Sequence, residues 1–394
     1  EESGAMLDRI RVLSFTHFVQ GPAAAQHLAD LGADVVKIEP PGGAWERRTG
    51  SGGIRVAGTS VTFLAVNRNC RAIAVDLKHP MAAEVLAPLI AGADVVLENY
   101  RPGALDKLGF GYEAVRAIRP DIVYASATGW GGRGPMGERP GVDVLVQARS
   151  GLIAATGDGT TAAGSPVVDH HGAALLALGV LAALVRRART GEGARVEASL
   201  LGAGLDLQAE AIALFHGGRR TRADLRRDRH LAAWFIDAPY GVYRLADAVA
   251  VIALSGDMAG FVSAIGAPAL VALGDEGRLT DRDAFTAALA AELAGWTWER
   301  LDAALGPRGF WYERVADYAD LPADPQVQAE GLLTEVRLRD EPVTLVRHPV
   351  RYDGELPPVR RMPPELGEHT REVLAESGVD AERIDAWFAA GAVA

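Results

Sequence analysis

The chain has 394 residues, of which 49% are hydrophobic, and it carries a net charge of −11 at pH 7. That length and apolar content can bury a large core in two or more domains, and the acidic balance argues against a nucleic-acid surface. One cysteine, Cys70, excludes an intrachain disulfide and a cysteine-based metal cluster.

Glu1–Ala5, before Met6, lacks the apolar stretch of a leader and reads as an appended remnant outside the fold. Ile10–Phe15 is a β-branched and aromatic run. Ala23–Leu31 then has helix-forming composition and stops at Gly32, and Asp34–Glu39 reads as a second buried strand. A strand–helix–strand unit of this length predicts parallel strands. Ile73–Leu77, Val95–Glu98 and Ile122–Ser126 add three short strands, with helices over Met81–Ala91 and Tyr112–Ile118. The alternation predicts an α/β fold with a doubly wound, Rossmann-like parallel sheet. Gly21-Pro22 lacks the G-x-G-x-x-G spacing of a dinucleotide turn, which argues against a dehydrogenase.

Two glycine-rich loops follow, Gly129-Trp130-Gly131-Gly132-Arg133-Gly134-Pro135 and Arg139-Pro140-Gly141-Val142-Asp143. They could offer backbone donors to a reacting carbonyl, or could be ordinary turns. Asp169 comes next, in Gly164-Ser165-Pro166-Val167-Val168-Asp169-His170-His171-Gly172, between a strand-like run and an apolar stretch. An acid at such a junction suits a nucleophile: with a reference pKa of about 3.9 it is ionised at pH 7 without a base. The plainer role for an Asp before a helix is an N-cap.

Ala173–Arg189 reads as a long helix ended by Thr190-Gly191, Val196–Leu201 as a strand returning to the sheet, and Ala203–Phe215 as another helix. No apolar run approaches the roughly 20 residues of a membrane span. The Arg-rich stretch Arg219–His230, diluted by Asp224 and Asp228, reads as a solvated surface rather than an anion site. Strands at Tyr240–Arg244 and Val249–Leu254, with helices at Met258–Ile265, Arg282–Leu293 and Trp298–Leu305, predict a smaller α+β domain. A hairpin over Leu333–Leu338 and Val343–Leu345 precedes helices at Glu368–Ser377 and Ala381–Ala390. The expected division is 6–219 for the large domain, 220–330 for the small one, and 331–394 for a C-terminal segment.

Several motifs recur in one order over nearly the whole chain. They are Asp76-Leu77-Lys78, Glu98–Gly109, Tyr124–Gly131, Gln147–Leu152, Asp169, Thr190–Gly193, Ala238–Tyr243 and Ala323–Val327. In this the chain resembles the family III CoA-transferases (the CaiB/BaiF group), which include formyl-CoA and carnitine CoA-transferases and, as a racemising branch, alpha-methylacyl-CoA racemase. The composition agrees with a soluble cytoplasmic enzyme, and the resemblance implies one that moves coenzyme A between an acyl-CoA and a carboxylic acid, with no metal and no redox cofactor. It also implies that Asp169 is the nucleophile, that the tail returns to the large domain, and that two chains interlock as a homodimer. It places CoA against His17, Asn99, Tyr100, Arg101 and Lys107.

The chain departs from that pattern at two positively charged positions, now Pro40 and Cys70, so Arg71, or Arg47 or Arg48, is expected to replace a phosphate contact. Around residues 255–260 stands Ser255-Gly256-Asp257-Met258 rather than a run of glycines, which argues against formyl and oxalyl groups. The racemase branch has a His in a Gly-His-Asp motif; here the motif is Gly141-Val142-Asp143, and Val142 cannot accept a proton. His170 and His171 adjoin Asp169 too closely to reach the opposite face of a substrate. An acyl-CoA racemase and a non-catalytic CoA- or nucleotide-binding protein are the alternatives. Trp130, Trp234, Phe235, Trp311 and Tyr312 suit either a bulky acyl group or the core.

Overall fold

Six strands form one parallel sheet: β1 Arg11–Phe15, β2 Asp34–Glu39, β3 Cys70–Ala74, β4 Val95–Glu98, β5 Val123–Thr128 and β6 Ala194–Ser199. Their spatial order is β3-β2-β1-β4-β5-β6. The computed structural model describes residues 5–48, 51–253 and 256–394; Glu1–Gly4, Thr49 and Gly50, and Leu254 and Ser255, which include part of the segment expected outside the fold and the end of an expected strand, lie outside the described residues.

Alternate residues of β1 serve two cores. Leu13 and Phe15 join α2 (Ala82–Ala91) and α3 (Tyr112–Ile118) on one face, whereas Val12 joins α1 (Gln20–Asp30) and α4 (Val167–Thr190) on the other. A sheet covered on both faces needs apolar residues throughout its strands, and this is why the strands read as continuous apolar runs. The chain leaves β1 toward β2 on one side and later returns to β4 on the other, so the strand order reverses between β1 and β4. Crevices at the carboxyl ends of such neighbours are where open α/β sheets bind ligands.

The largest correction to the sequence reading concerns α4. It begins at Val167, not Ala173, so the strand-like run before Asp169 is helical. By length and composition this 24-residue helix could cross a membrane, contrary to the expectation that no run could. Its buried face (Ala173, Leu176, Val180, Leu184) packs against α1 and the sheet as a core helix. β3 also starts earlier than expected, at Cys70, and the 203–215 helix is two helices, Leu200–Asp206 and Ala209–Gly217.

By packing, the described chain divides into two compact units: residues 1–146, 166–204 and 325–394 in one, 147–165 and 205–324 in the other. The second has an antiparallel sheet, β7 Gly241–Arg244, β8 Val249–Ile252 and β9 Tyr312–Arg314, in the order β9-β8-β7. Helices α5 Met258–Ile265, α6 Pro268–Thr280, α7 Arg282–Leu293 and α8 Trp298–Leu305 cover it around Tyr243, Phe261, Phe285 and Leu301. In the first unit, the hairpin β10 Leu333–Leu338 and β11 Glu341–Val346 is followed by α9 Thr370–Glu376 and α10 Ala381–Ala390. These two helices add Val373, Leu374, Ile384 and Trp387 to the core shared with α2.

Candidate active site

At the carboxyl ends of β1 and β4 the chain closes a small polar clamp. The Asn99 side chain pairs with the His17 backbone as a strand would: Nδ2 donates to the His17 carbonyl at 2.7 Å and Oδ1 accepts its N–H at 2.9 Å. Gly21 lets α1 start this close, because a Cβ there would lie 2.7 Å from Thr16 and 2.8 Å from Asn99. The Tyr100 ring meets His17 edge-on at 5.1 Å, and its N–H donates to Glu98 at 2.8 Å. Burial lowers the His17 pKa, so its imidazole is neutral at pH 7. Burial also pushes the Glu98 carboxyl up to about 7. Beneath the clamp, Lys37 donates to the Thr16 carbonyl at 2.8 Å and pairs with fully buried Glu46 at 3.1 Å.

His17, Asn99 and Tyr100 are therefore brought together. Arg101 and Lys107 follow on the exposed surface after β4 and form no ion pair among the described residues. Arg101 also borders a cleft of about 530 Å³ that Glu98, Ser126, Thr128, Gly131 and Arg195 line. Arg71 does not join them. It lies near the amino end of β3, where its guanidinium binds Asp34, Glu372 and Glu376 at 2.7–2.9 Å. Arg47, the other expected substitute, is held by Glu39 through two 2.7 Å bonds, whereas Arg48 is exposed. Of the aromatic residues, Trp130 and Trp234 are buried and Trp311 is 65% exposed.

Asp169 is the third residue of α4, and Pro166, not Asp169, occupies the N-cap position. The cap comes from elsewhere: Asp143 Oδ2 accepts the N–H of Val168 at 2.8 Å and of Asp169 at 2.9 Å. Two loops hold Asp143 in place. A Cβ on Gly129 would sit 2.6 Å from Gly141 Cα, and one on Gly141 2.7 Å from Gly129 Cα, so only glycine fits either position. Trp130 adds a bond from Nε1 to the Pro140 carbonyl at 3.1 Å.

A helix N-terminus ordinarily favours a carboxylate. Here Asp143 has taken the free amides, and the Asp169 carboxylate, half-buried, makes no hydrogen bond among the described residues. Burial, and secondarily the charge of Asp143, push its pKa up to about 7. A carboxyl raised this far is not fully ionised at neutral pH, contrary to the expectation of full ionisation there. The adjacent His170 is shifted down, mainly by burial.

Comparison with known proteins decides the assignment. Residues 7–370 match the model of CoA-transferase family III. The chain belongs to this family. It is 32% identical to a probable fatty acyl-CoA transferase of Mycobacterium tuberculosis, over 94% of this chain and 97% of that protein. It is also 32% identical to the succinyl-CoA:glutarate CoA-transferase of Mus musculus, over 94% and 86% of the two chains. A crystal structure of a CaiB/BaiF family protein from Brucella suis superposes with a TM-score of 0.80 at 31% identity, covering 95% of this chain and all of that one. The protein is thus a family III CoA-transferase, and CoA is its substrate.

Two residues beside the candidate site carry little signal in the sequence. Asp143 was noticed only as part of a glycine-rich motif, since nothing local ties it to amides 25 and 26 residues away. Gln20 carried no motif at all; its signal is structural, a buried side chain with an unpartnered amide.

Proposed function

We propose that the transferase works by a ping-pong exchange through Asp169. The Asp169 carboxylate attacks the thioester carbonyl of the donor acyl-CoA; the C–S bond breaks, and CoA thiolate leaves with the electron pair. The thiolate then attacks the Asp169 Cγ of the resulting mixed anhydride. The donor acid departs as a carboxylate, leaving an aspartyl–CoA thioester. An acceptor carboxylate runs the same two steps in reverse, so activation is conserved throughout. The supporting observation is a half-buried carboxylate without a hydrogen-bond partner among the described residues, fixed at a helix start by a second carboxylate. Desolvation makes such an oxygen a better nucleophile once ionised.

The CoA moiety is assigned to the crevice between β1 and β4, with His17 and Tyr100 at its wall, Asn99 holding His17 in place, and Arg101 and Lys107 supplying charge for its phosphates. Arg71 is left out of this set because its three carboxylate partners already satisfy it. Relatives act on succinyl-CoA with glutarate, and with mesaconate in Haloarcula marismortui (33% identical), and a fatty acyl-CoA is named for the mycobacterial one. A medium-sized acyl group with a free carboxylic acid as acceptor is the reading we adopt. A panel of acetyl-, succinyl- and palmitoyl-CoA against succinate, glutarate, mesaconate and oxalate, read by mass spectrometry, tests it; activity confined to oxalate contradicts it.

The same reading includes an interlocked homodimer. Leu178 and Val185 on α4 are 62% and 59% exposed in the single chain, as expected of a face that a second copy covers. Sedimentation at nanomolar concentration tests this: a folded, active monomer excludes the interlock.

A further inference from the structure

Gln20 is the first residue of α1, three positions after His17, and only 4% of its surface is exposed. Its side-chain Nε2 has no hydrogen-bond partner among the described residues. An unpaired buried amide is costly, by roughly 1–3 kcal/mol, and such groups are rare. Its position is informative. A Cβ built on Gly172 would meet this nitrogen at 2.7 Å, so the absence of a side chain at 172 makes room for the amide. In a helix the Cα–Cβ bond tilts toward the N-terminus, and the spot a side chain covers lies over the preceding turn. The turn preceding Gly172 carries Val168 and Asp169. Gln20 Nε2 therefore lies against the turn of the nucleophile, at the base of the loop that leads from His17 into α1.

We propose that Gln20 is a further catalytic residue: its Nε2–H donates to the oxygen of the Asp169 side chain when that carboxyl is acylated. The inference rests on Asp169 as the nucleophile. When CoA thiolate attacks Cγ of the Asp169 anhydride, the electrons of the Cγ=O bond move onto its oxygen. They return as the anhydride C–O bond breaks and the donor carboxylate leaves. A donor already in place and already stripped of water stabilises that oxyanion without reorganising. Before acylation the same amide has no partner among the described residues, and the interaction is realised only as charge develops.

Gln20→Met keeps the length and removes the donor. With the fastest pair from the acyl-CoA and acid panel above, kcat should fall 10²–10³-fold while the acyl-CoA KM changes less than about threefold. The melting temperature should hold or rise, because an orphaned buried polar group has been replaced by an apolar one. Gln20→Glu is the second variant: it places another carboxyl beside Asp169, so the acid limb of the kcat profile should move to higher pH. A kcat within about threefold of wild type in both variants overturns the proposal. So does a loss that tracks a lowered melting temperature, which marks a structural role. Wild-type enzyme trapped with hydroxylamine runs alongside. If Asp169 is labelled and both variants turn over normally, only the role of Gln20 fails; if Asp169 is never labelled, the nucleophile assignment fails and the role of Gln20 falls with it.

Discussion

The two ends of the parallel sheet treat their charges in opposite ways. At the amino end, Arg11 and Arg71 share Asp34 and Glu376, and Arg71 also binds Glu372, so α9 is tied to β1, β2 and β3 by mutually satisfied ions. The cleft there, about 480 Å³, is lined by these paired charges together with Arg360, which donates to the Ala29 carbonyl, and Arg361. At the carboxyl end, among the described residues, Arg101 and Lys107 are exposed without ion pairs, the Asp169 carboxylate lacks a hydrogen bond and Gln20 has an unpaired amide, while Glu98 and Asp169 are both pushed toward neutral pKa values. Unsatisfied and pKa-shifted groups gathered at one end of a sheet mark a candidate ligand site. The same residue type, arginine after or within a strand, is thus structural at one end and available at the other.

Substitutions should separate the two ends. The largest effect is expected at Asp169: Asp169→Ala should lower turnover by about 10⁴-fold or more while the fold is retained by circular dichroism, because the covalent route is lost. Next come the arginines. Arg71→Ala removes the cation of Glu372 and one of the two cations of Asp34 and Glu376, and should destabilise the protein by roughly 1–3 kcal/mol, a figure kept low because all three partners are a third or more exposed. Its acyl-CoA KM should not change. Arg101→Ala should do the reverse, raising KM for acyl-CoA about five- to tenfold with an unchanged melting temperature. If Arg71→Ala raises KM and Arg101→Ala does not, the contrast between the ends is wrong.

Smaller effects concern pH. The kcat of the wild type should rise with pH through about 7, as Asp169 ionises. Asp143→Asn keeps an acceptor for the two amides but removes the like charge, so that limb should move about one unit toward acid. No movement would show that burial alone sets the shift. Stability carries the complementary sign. A carboxyl whose pKa is raised on folding costs stability as pH climbs from the ordinary carboxylate range to about 7, and no further above it. Asp169→Asn should therefore melt roughly 1–3 °C above wild type at pH 8 and close to it at pH 4.

The sheet was largely legible because its strands are buried on both faces: Asp34–Glu39 and Val95–Glu98 form over the expected residues. Helices with a clear apolar stripe behaved likewise, as at Arg282–Leu293 and Ala381–Ala390. What stayed hidden depends on distant partners. Val167-Val168 is β-branched and reads as strand; it is helical because Asp143, 25 residues earlier, satisfies the first amides. Arg71 reads as a free cation until α9, some 300 residues on, delivers Glu372 and Glu376. β9 is three residues long and pairs with β8 some 60 residues earlier, and its short run carries no periodicity. The order of motifs singles out Asp169 as a candidate; the upward shift of its pKa was not legible, since burial and a neighbouring charge cause it.

The central claim is that the acyl and CoA groups pass through the side chain of Asp169. Enzyme incubated with its acyl-CoA donor, quenched with hydroxylamine and digested, should yield the peptide containing Asp169 as its hydroxamate, with loss of activity in proportion to labelling. The acceptor acid should protect against both. A hydroxamate on another residue, or full inactivation with Asp169 unmodified, would contradict it.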